Sequence, residues 1–369
     1  MAVTRRDFTK MGALGLAARW TPFLNGQESS ERKIGYCVIG LGRIAMHFLD
    51  GARDSAHSKV TALVSGHRDK AERIATQYGI PHENIYTYEE FDRIAANKAI
   101  DAVYVALPNS MHAEYTIRAA KAGKHVLCEK PMAVTAADCV KMIDACKSAN
   151  VKLMIAYRLH FEPTTLKALE IVRSGKIGQL QSMQGANGFN IARGEWRYNK
   201  KLAGGGSLFD MGVYCVNAYR MFAAEEPVGI LAEVSTPQKD DERFKDVEEN
   251  VSWVMRFPSG AIATGASTYG ADMPGYYRLN GTRGWLQMDS YGYSGQHLTA
   301  RYSGTEPGTP AITIDETSQE KDPMQFVRQA DHFSECILLN RTPQAPGEEG
   351  LADMRVIEAI YNSGASQKV

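Results

Sequence analysis

Apolar residues in the first half of the chain come in short unbroken runs, separated by stretches where they recur every three or four positions. Unbroken runs fit strands buried on both faces, and the longer period fits amphipathic helices. The pattern predicts strands over 34–39, 60–64, 99–106, 125–128 and 151–156. Helices are predicted from the glycine turn at 40–42 through Leu49, and over 70–78, 112–122 and 135–149. Such alternation with short connections describes a parallel, doubly wound sheet. After Tyr157 the character changes. A helix over 163–173 leads into strands over 180–185, 228–234, 251–257, 261–269 and 284–289, and helices over 324–339 and 350–363 end the chain. Hairpin-like patterning of this kind suggests a largely antiparallel sheet. The expected fold is α/β: an N-terminal Rossmann dinucleotide-binding domain over 31–156, then an α+β domain over 157–369 with an open, largely antiparallel sheet.

Length agrees, since 369 residues at about 150 per domain suggests two domains. Hydrophobic residues at 44% and charged residues at 23% exclude wholesale disorder and a multi-span membrane protein. Lys+Arg and Asp+Glu both number 42, and no basic stripe suggests a nucleic-acid partner. Six cysteines in so long a chain are no disulfide framework; Cys139 and Cys146 would sit roughly 10 Å apart along one helix, too far to bridge. They read as buried free thiols.

Residues 1–30 stand apart from the fold. Arg5 and Arg6, followed by Asp7-Phe8-Thr9-Lys10 and a weakly apolar run from Met11 to Ala18, have the layout of a twin-arginine export signal. The run is too short to span a bilayer of about 30 Å. The expected location is the periplasm, with no stable membrane span.

Gly40-Leu41-Gly42-Arg43-Ile44-Ala45 is a G-x-G-x-x-A string between a predicted strand and helix. There the first glycine permits a tight turn, and the second lets backbone approach a pyrophosphate at the helix N-terminus. The end of the second strand discriminates between dinucleotides. An Asp or Glu there would hold the ribose 2′-hydroxyl of NAD; this chain has Ser65-Gly66-His67-Arg68 with Lys70 beyond. A hydroxyl with nearby cations can receive a 2′-phosphate, so NADP is the expected cofactor. The bland alternative leaves Arg68 and Lys70 as solvated helix-start residues. No metal is assigned.

Two further clusters carry chemistry. Glu129-Lys130-Pro131 ends a parallel strand, where ligands of open α/β sheets gather. Gly204-Gly205-Gly206-Ser207 runs into a predicted helix on which Asp210 and Tyr214 are i and i+4. A tyrosine of ordinary pKa near 10 is a poor base at neutral pH, but an ammonium such as Lys130 beside it would favour the phenolate. The residues alone leave open that Tyr214 is a core tyrosine and Asp210 a helix-surface acid.

The ordered set G-x-G-x-x-A, Leu107-Pro108-Asn109-Ser110-Met111-His112, Lys124-His125-Val126-Leu127-Cys128-Glu129-Lys130-Pro131, Tyr157-Arg158-Leu159-His160, the 204–214 string and Pro346-Gly347-Glu348-Glu349-Gly350 resembles the glucose–fructose oxidoreductase/inositol dehydrogenase (Gfo/Idh/MocA) family. The match runs from about Lys33 to the end, and Tyr214 places it nearest the glucose–fructose oxidoreductase branch, which also carries a twin-arginine signal. The resemblance implies Lys130 and Tyr214 as the proton-transfer pair, with Asp210 orienting a sugar. It implies Ser65, Lys70 and Tyr88 around the adenosine end, and Leu107, Pro108, Asn109, His112 and Glu129 along the pyrophosphate-to-nicotinamide path. Arg158, Trp196 and Arg197 would close the cofactor from the second domain, and the open sheet would mediate a homodimer or homotetramer. Two departures are visible: Trp20 to Arg32 is a short arm with one proline where the family's exporter has a long proline-rich one, and residues 185–195 differ from the matching loop.

The implied function is an NADP-dependent sugar oxidoreductase that oxidises an aldose at C1 to the lactone and passes the hydride to a second sugar. The alternatives are a simple NADP-dependent aldose dehydrogenase releasing NADPH, and a non-catalytic NADP-binding sensor, which would have no use for a proton-transfer pair.

Overall fold

The first predicted strand, Ile34–Ile39 (β1), is buried at every position, as a strand sandwiched between helical layers must be. A computed structural model describes residues 32–289, 291–304 and 310–366; the signal segment with Arg5 and Arg6 lies outside them. After β1 come α1 (Arg43–Asp54), β2 (Ser58–Val64), α2 (Arg68–Tyr78), β3 (Ile85–Tyr86), β4 (Ala102–Val105), α3 (His112–Lys121), β5 (His125–Cys128), α4 (Ala136–Ser148) and β6 (Leu153–Ile155). The strands form a six-stranded sheet in the order β3-β2-β1-β4-β5-β6, parallel throughout. Strand order reverses between β1 and β4, which opens a crevice beyond their carboxyl ends.

Local chemistry fixes the helix ends. Helix α1 buries Ala45, Phe48, Leu49 and Ala52, the i, i+3, i+4, i+7 stripe of a helix lying on a sheet. Thr135 caps α4 by accepting the amide of Asp138 at 3.0 Å, and Glu162 caps α5 (Pro163–Arg173) through the amides of Thr164 and Thr165.

The second half adds β7 (Leu180–Gly188), α6 (Lys200–Ala203), α7 (Val213–Ala223), β8 (Gly229–Ser235), β9 (Asn250–Arg256), β10 (Ile262–Thr268), β11 (Met273–Gly281), β12 (Gly284–Asp289), β13 (His297–Tyr302) and β14 (Ile312–Thr317). They make one eight-stranded sheet in the order β14-β13-β12-β11-β7-β10-β9-β8. Only β7 and β10 pair in parallel. In β9, Val251, Trp253 and Met255 are buried and alternate with exposed neighbours, so this sheet has one covered and one open face. Residues 185–188, expected in a loop, belong to β7.

The last helices, α8 (Met324–Leu338) and α9 (Gly347–Ser366), return to the first half. Helix α8 packs on α1 and its Ser334 hydroxyl meets Tyr36 of β1 at 2.9 Å, so it crosses the division expected at 156/157. Helix α9 packs on both α4 and β8. All six cysteines are buried and free.

Candidate functional site

A cleft of about 990 Å³ lies over the carboxyl ends of β1, β4, β5 and β6, and every cofactor and catalytic residue expected from the sequence lines it. Gly40 has φ +85° and a Cβ there would come within 2.4 Å of the Ala106 carbonyl, so the turn requires glycine. A Cβ on Gly42 would meet nothing within 4 Å; that space belongs to the cleft. Helix α1 starts without a side-chain cap or an acid in its first turn, leaving unsatisfied amides and partial positive charge toward the opening. These features fit a pyrophosphate. Arg43 sits at the rim and pairs with Glu195 Oε1 at 2.8 Å.

Ser65, His67, Lys70 and Tyr88 line the far end, and the β2–α2 connection contributes no carboxylate there. The Ser65 hydroxyl accepts the His67 amide at 3.0 Å and donates to the His67 carbonyl at 3.3 Å. Arg68 turns away instead, to Glu72 and the Ile85 carbonyl, so Lys70 and His67 are the basic side chains of the β2–α2 segment that line this end of the cleft.

Along the middle, Asn109 Nδ2 donates to the Ala203 carbonyl at 2.9 Å, tying the loop after β4 to α6. The His112 ring lies between the carbonyls of Leu107 and Pro131, at 2.9 Å from each. Burial depresses its basicity despite those acceptors. It braces the loops after β4 and β5. The Tyr104 hydroxyl donates to Glu129 at 2.5 Å, and burial pushes the Glu129 carboxyl up against that bond and the Lys130 charge.

At the chemical end, Lys130 Nζ donates to the Asp210 carbonyl at 2.8 Å and to its Oδ1 at 3.2 Å. It lies over the Tyr214 ring, 4.5 Å from the centroid, rather than at its hydroxyl. That hydroxyl instead receives Arg158 Nη2 at 3.3 Å. Asp210 Oδ2 accepts Tyr269 Oη at 3.0 Å and pairs with Arg197 Nε at 3.1 Å. Burial opposes ionisation of Asp210, but Lys130 and Arg197 outweigh it and hold the carboxyl below its usual range. Burial also opposes ionisation of Tyr214, and Arg158 and Lys130 together overcome that too, lowering the phenol from its ordinary value. Trp196 stands at the rim under the Arg197 guanidinium.

Asp210 and Tyr214 are not on one α-helical face as expected. Leu208–Gly212 is a π-helical turn, closed by the Val213 amide on the Leu208 carbonyl, and α7 begins only afterwards. The start of the π turn is fixed by Glu248, a residue the sequence reading missed, whose carboxylate accepts the amides of Gly206 at 2.8 Å and Leu208 at 3.1 Å and the Tyr361 hydroxyl at 2.8 Å. Glu195, Tyr269 and Tyr291 were likewise missed; nothing local in the sequence marks them, because the contacts that bring them into the site, Glu195 with Arg43, Tyr269 with Asp210 and Tyr291 with Tyr214, join residues far apart in the chain.

A glycine turn at the switch point of a parallel sheet, opening onto a cleft that holds a half-buried tyrosine of lowered pKa beside two cations, points to the class, an oxidoreductase built on a Rossmann domain. Residues 34–157 match the oxidoreductase family with the NAD-binding Rossmann fold, GFO_IDH_MocA, and residues 165–287 match the GFO/IDH/MocA C-terminal domain. The chain belongs to this family. It is 29% identical over 350 residues to the D-xylose 1-dehydrogenase [NADP(+)] of Haloarcula marismortui, covering 92% of this chain and 94% of that protein. With D-xylose 1-dehydrogenase (NADP(+)) 2 of Haloferax volcanii it shares 30% identity, over 88% and 96% of the two chains. The crystal structure of aldose–aldose oxidoreductase from Caulobacter crescentus, complexed with glycerol, superposes with a TM-score of 0.85 at 44% identity, over 91% and 99% of the two chains.

Proposed function

We propose that this protein is an NADP-dependent sugar oxidoreductase that oxidises an aldose at C1 to the lactone and passes the hydride to a second sugar carbonyl. The observation that carries this reading is the Tyr214 hydroxyl, turned to Arg158 and flanked by Lys130 inside the cleft. The likeness to aldose–aldose oxidoreductase supports the substrate class, and the two NADP(+)-linked relatives support the nucleotide. Gly40 to Ile44 would hold NADP at its phosphates and Ser65 and Lys70 at its 2′-phosphate, and the bound nucleotide would supply the reversible hydride acceptor. Tyr214 takes the C1 hydroxyl proton as phenolate and gives it back, as phenol, to the carbonyl oxygen of the acceptor. Ionised Asp210 accepts from a sugar hydroxyl and orients the ring, with Lys130 and Arg197 fixing its carboxylate. Over a full cycle one residue serves both half-reactions and no proton leaves the site.

The test is single-turnover absorbance at the reduced-nicotinamide band. Tyr214→Phe should slow reduction by aldose and reoxidation by acceptor alike, each by about 10²–10⁴-fold, with nucleotide still bound. Rates within a few-fold of the parent in both directions would remove Tyr214 from the mechanism. The names of the haloarchaeal relatives favour a second reading, an aldose dehydrogenase that exchanges NADPH with solution.

The same proposal includes export and assembly. Arg5-Arg6 supports periplasmic export by the twin-arginine route; Arg5→Lys/Arg6→Lys should leave the protein in the cytoplasm on fractionation, and an unmodified chain that stays there would defeat the claim. Leu231, Val254 and Ile262 are exposed on the open face of the second sheet, which supports a homodimer or homotetramer formed there.

A further inference from the structure

The Tyr214 side chain is faced from every side by groups that bear on its ionisation. Lys130 comes from the loop after β5 with Glu129 beside it, Arg158 from the single turn Arg158–Phe161 after β6, and Asp210 from the π turn. Tyr291 and Tyr293 come from the β12–β13 connection, with the Tyr291 ring centroid 5.4 Å from that of Tyr214. These groups differ in where they point. The Lys130 ammonium is engaged by Asp210 and lies over the ring face. Among the described residues, the donor to the hydroxyl oxygen itself is Arg158.

Arg158 is also held in place. It is 6% exposed. Its Nη1 donates to the Gly292 carbonyl at 2.7 Å and to Gln325 Oε1 at 2.6 Å, and its Nη2 also donates to the Tyr291 carbonyl. The guanidinium also lies over the Tyr293 ring, 4.5 Å from its centroid, and 5.3 Å from the centroid of the Tyr214 ring. An arginine stays charged throughout the working range, and a donor fixed before reaction needs no reorganisation when charge develops on the oxygen.

Building on the reading of Tyr214 as the base, we propose that Arg158 is a catalytic residue of this reaction. It donates directly to the Tyr214 oxygen and holds it in its proton-accepting form, while Lys130 serves Asp210 and the ring face. Gln325 is a positioning residue that acts through Arg158. The sign is fixed: removing the cation favours the neutral phenol, so the tyrosine titrates at higher pH.

The readout needs no sugar. Tyrosinate absorbance of the nucleotide-loaded protein is titrated with pH, and the curve of Tyr214→Phe is subtracted to isolate one residue. Arg158→Met should move that difference curve up by about one pH unit or more, a tenfold or greater loss of phenolate at neutral pH. Arg158→Lys and Gln325→Leu should move it less. The ascending limb of single-turnover aldose oxidation should move by the same amount, with the rate recovered at high pH; a purely structural role would lower it equally at all pH. A difference curve for Arg158→Met coincident with the parent, or a shift carried wholly by Lys130→Met, would overturn the proposal. Should Arg158→Met fail to fold, unshifted curves in both Arg158→Lys and Gln325→Leu would overturn it equally. Full activity in Tyr214→Phe would instead defeat the base assignment, a separate outcome.

Discussion

Asp210 receives Lys130, Arg197 and Tyr269 at once, and the two cations hold its carboxyl below its usual range, which suits the proposed role of hydrogen-bond acceptor rather than acid. Ser65 is the opposite case, a small side chain whose value lies in what it omits. Its hydroxyl already accepts the His67 amide, a bond that an aspartate could also accept. Ser65→Asp should therefore fold and yet place a negative charge against a 2′-phosphate, where like-charge contacts can cost several kcal/mol. Competition titration should show NADP weakened and the preference moved towards NAD; a parent that already prefers NAD would refute the assignment. At this scale the sequence was legible where chemistry is local, as in Gly40, Gly42, Ser65 and the Glu129-Lys130 pair. It was illegible where a side chain acts at a distance. Glu248 holds the helix start 40 residues away in sequence, and Gln325 holds Arg158 from 167 residues away.

Elements with a clear period were legible, and those without one were not. Strands β1, β5 and β12 stand where their apolar patterns put them. Strand β14 is exposed at nearly every position, and Ile312 and Ile314 are too short an alternation to mark it. Strand β11 begins Met273-Pro274-Gly275 and carries a register shift there, which reads as a turn. The segment between β7 and α6 has no period either, yet it spans the cleft mouth through the Arg43–Glu195 pair. Glu195 Oε2 also receives Arg197, so one carboxylate ties the start of α1 beside the glycine turn to the residue that pairs with Asp210. Arg43 is largely exposed, and such pairs are worth about 0.2–1 kcal/mol. Glu195→Gln should speed NADPH release by up to about fivefold in stopped-flow displacement, and added salt should raise the parent's rate towards that of the variant. An unchanged or slower release would show that the pair does not restrain the nucleotide.

Across the whole molecule, the cleft is a product of both sheets: the parallel sheet supplies the turns after its strands, and the second half supplies Arg197, Asp210, Tyr214 and the tyrosines after β12. Composition and length pointed to two domains, and α8 returns onto α1 and α9 onto α4, packing both halves into one compact unit, Arg32–Val369. Helix patterning showed that those helices exist; it carries no information on which sheet they rejoin. The fate of the hydride separates the two enzymatic readings, and one sequential measurement reads it. Protein freed of unbound nucleotide is given an aldose and then a second sugar, while the reduced-nicotinamide band is followed and the filtrate assayed for NADPH. For hydride return the band should rise with the aldose and fall again with the second sugar, with the nucleotide still held by the protein. A band that rises and is reversed by no sugar, with NADPH in the filtrate, would contradict hydride return; a band that no aldose raises would contradict the sugar oxidoreductase itself.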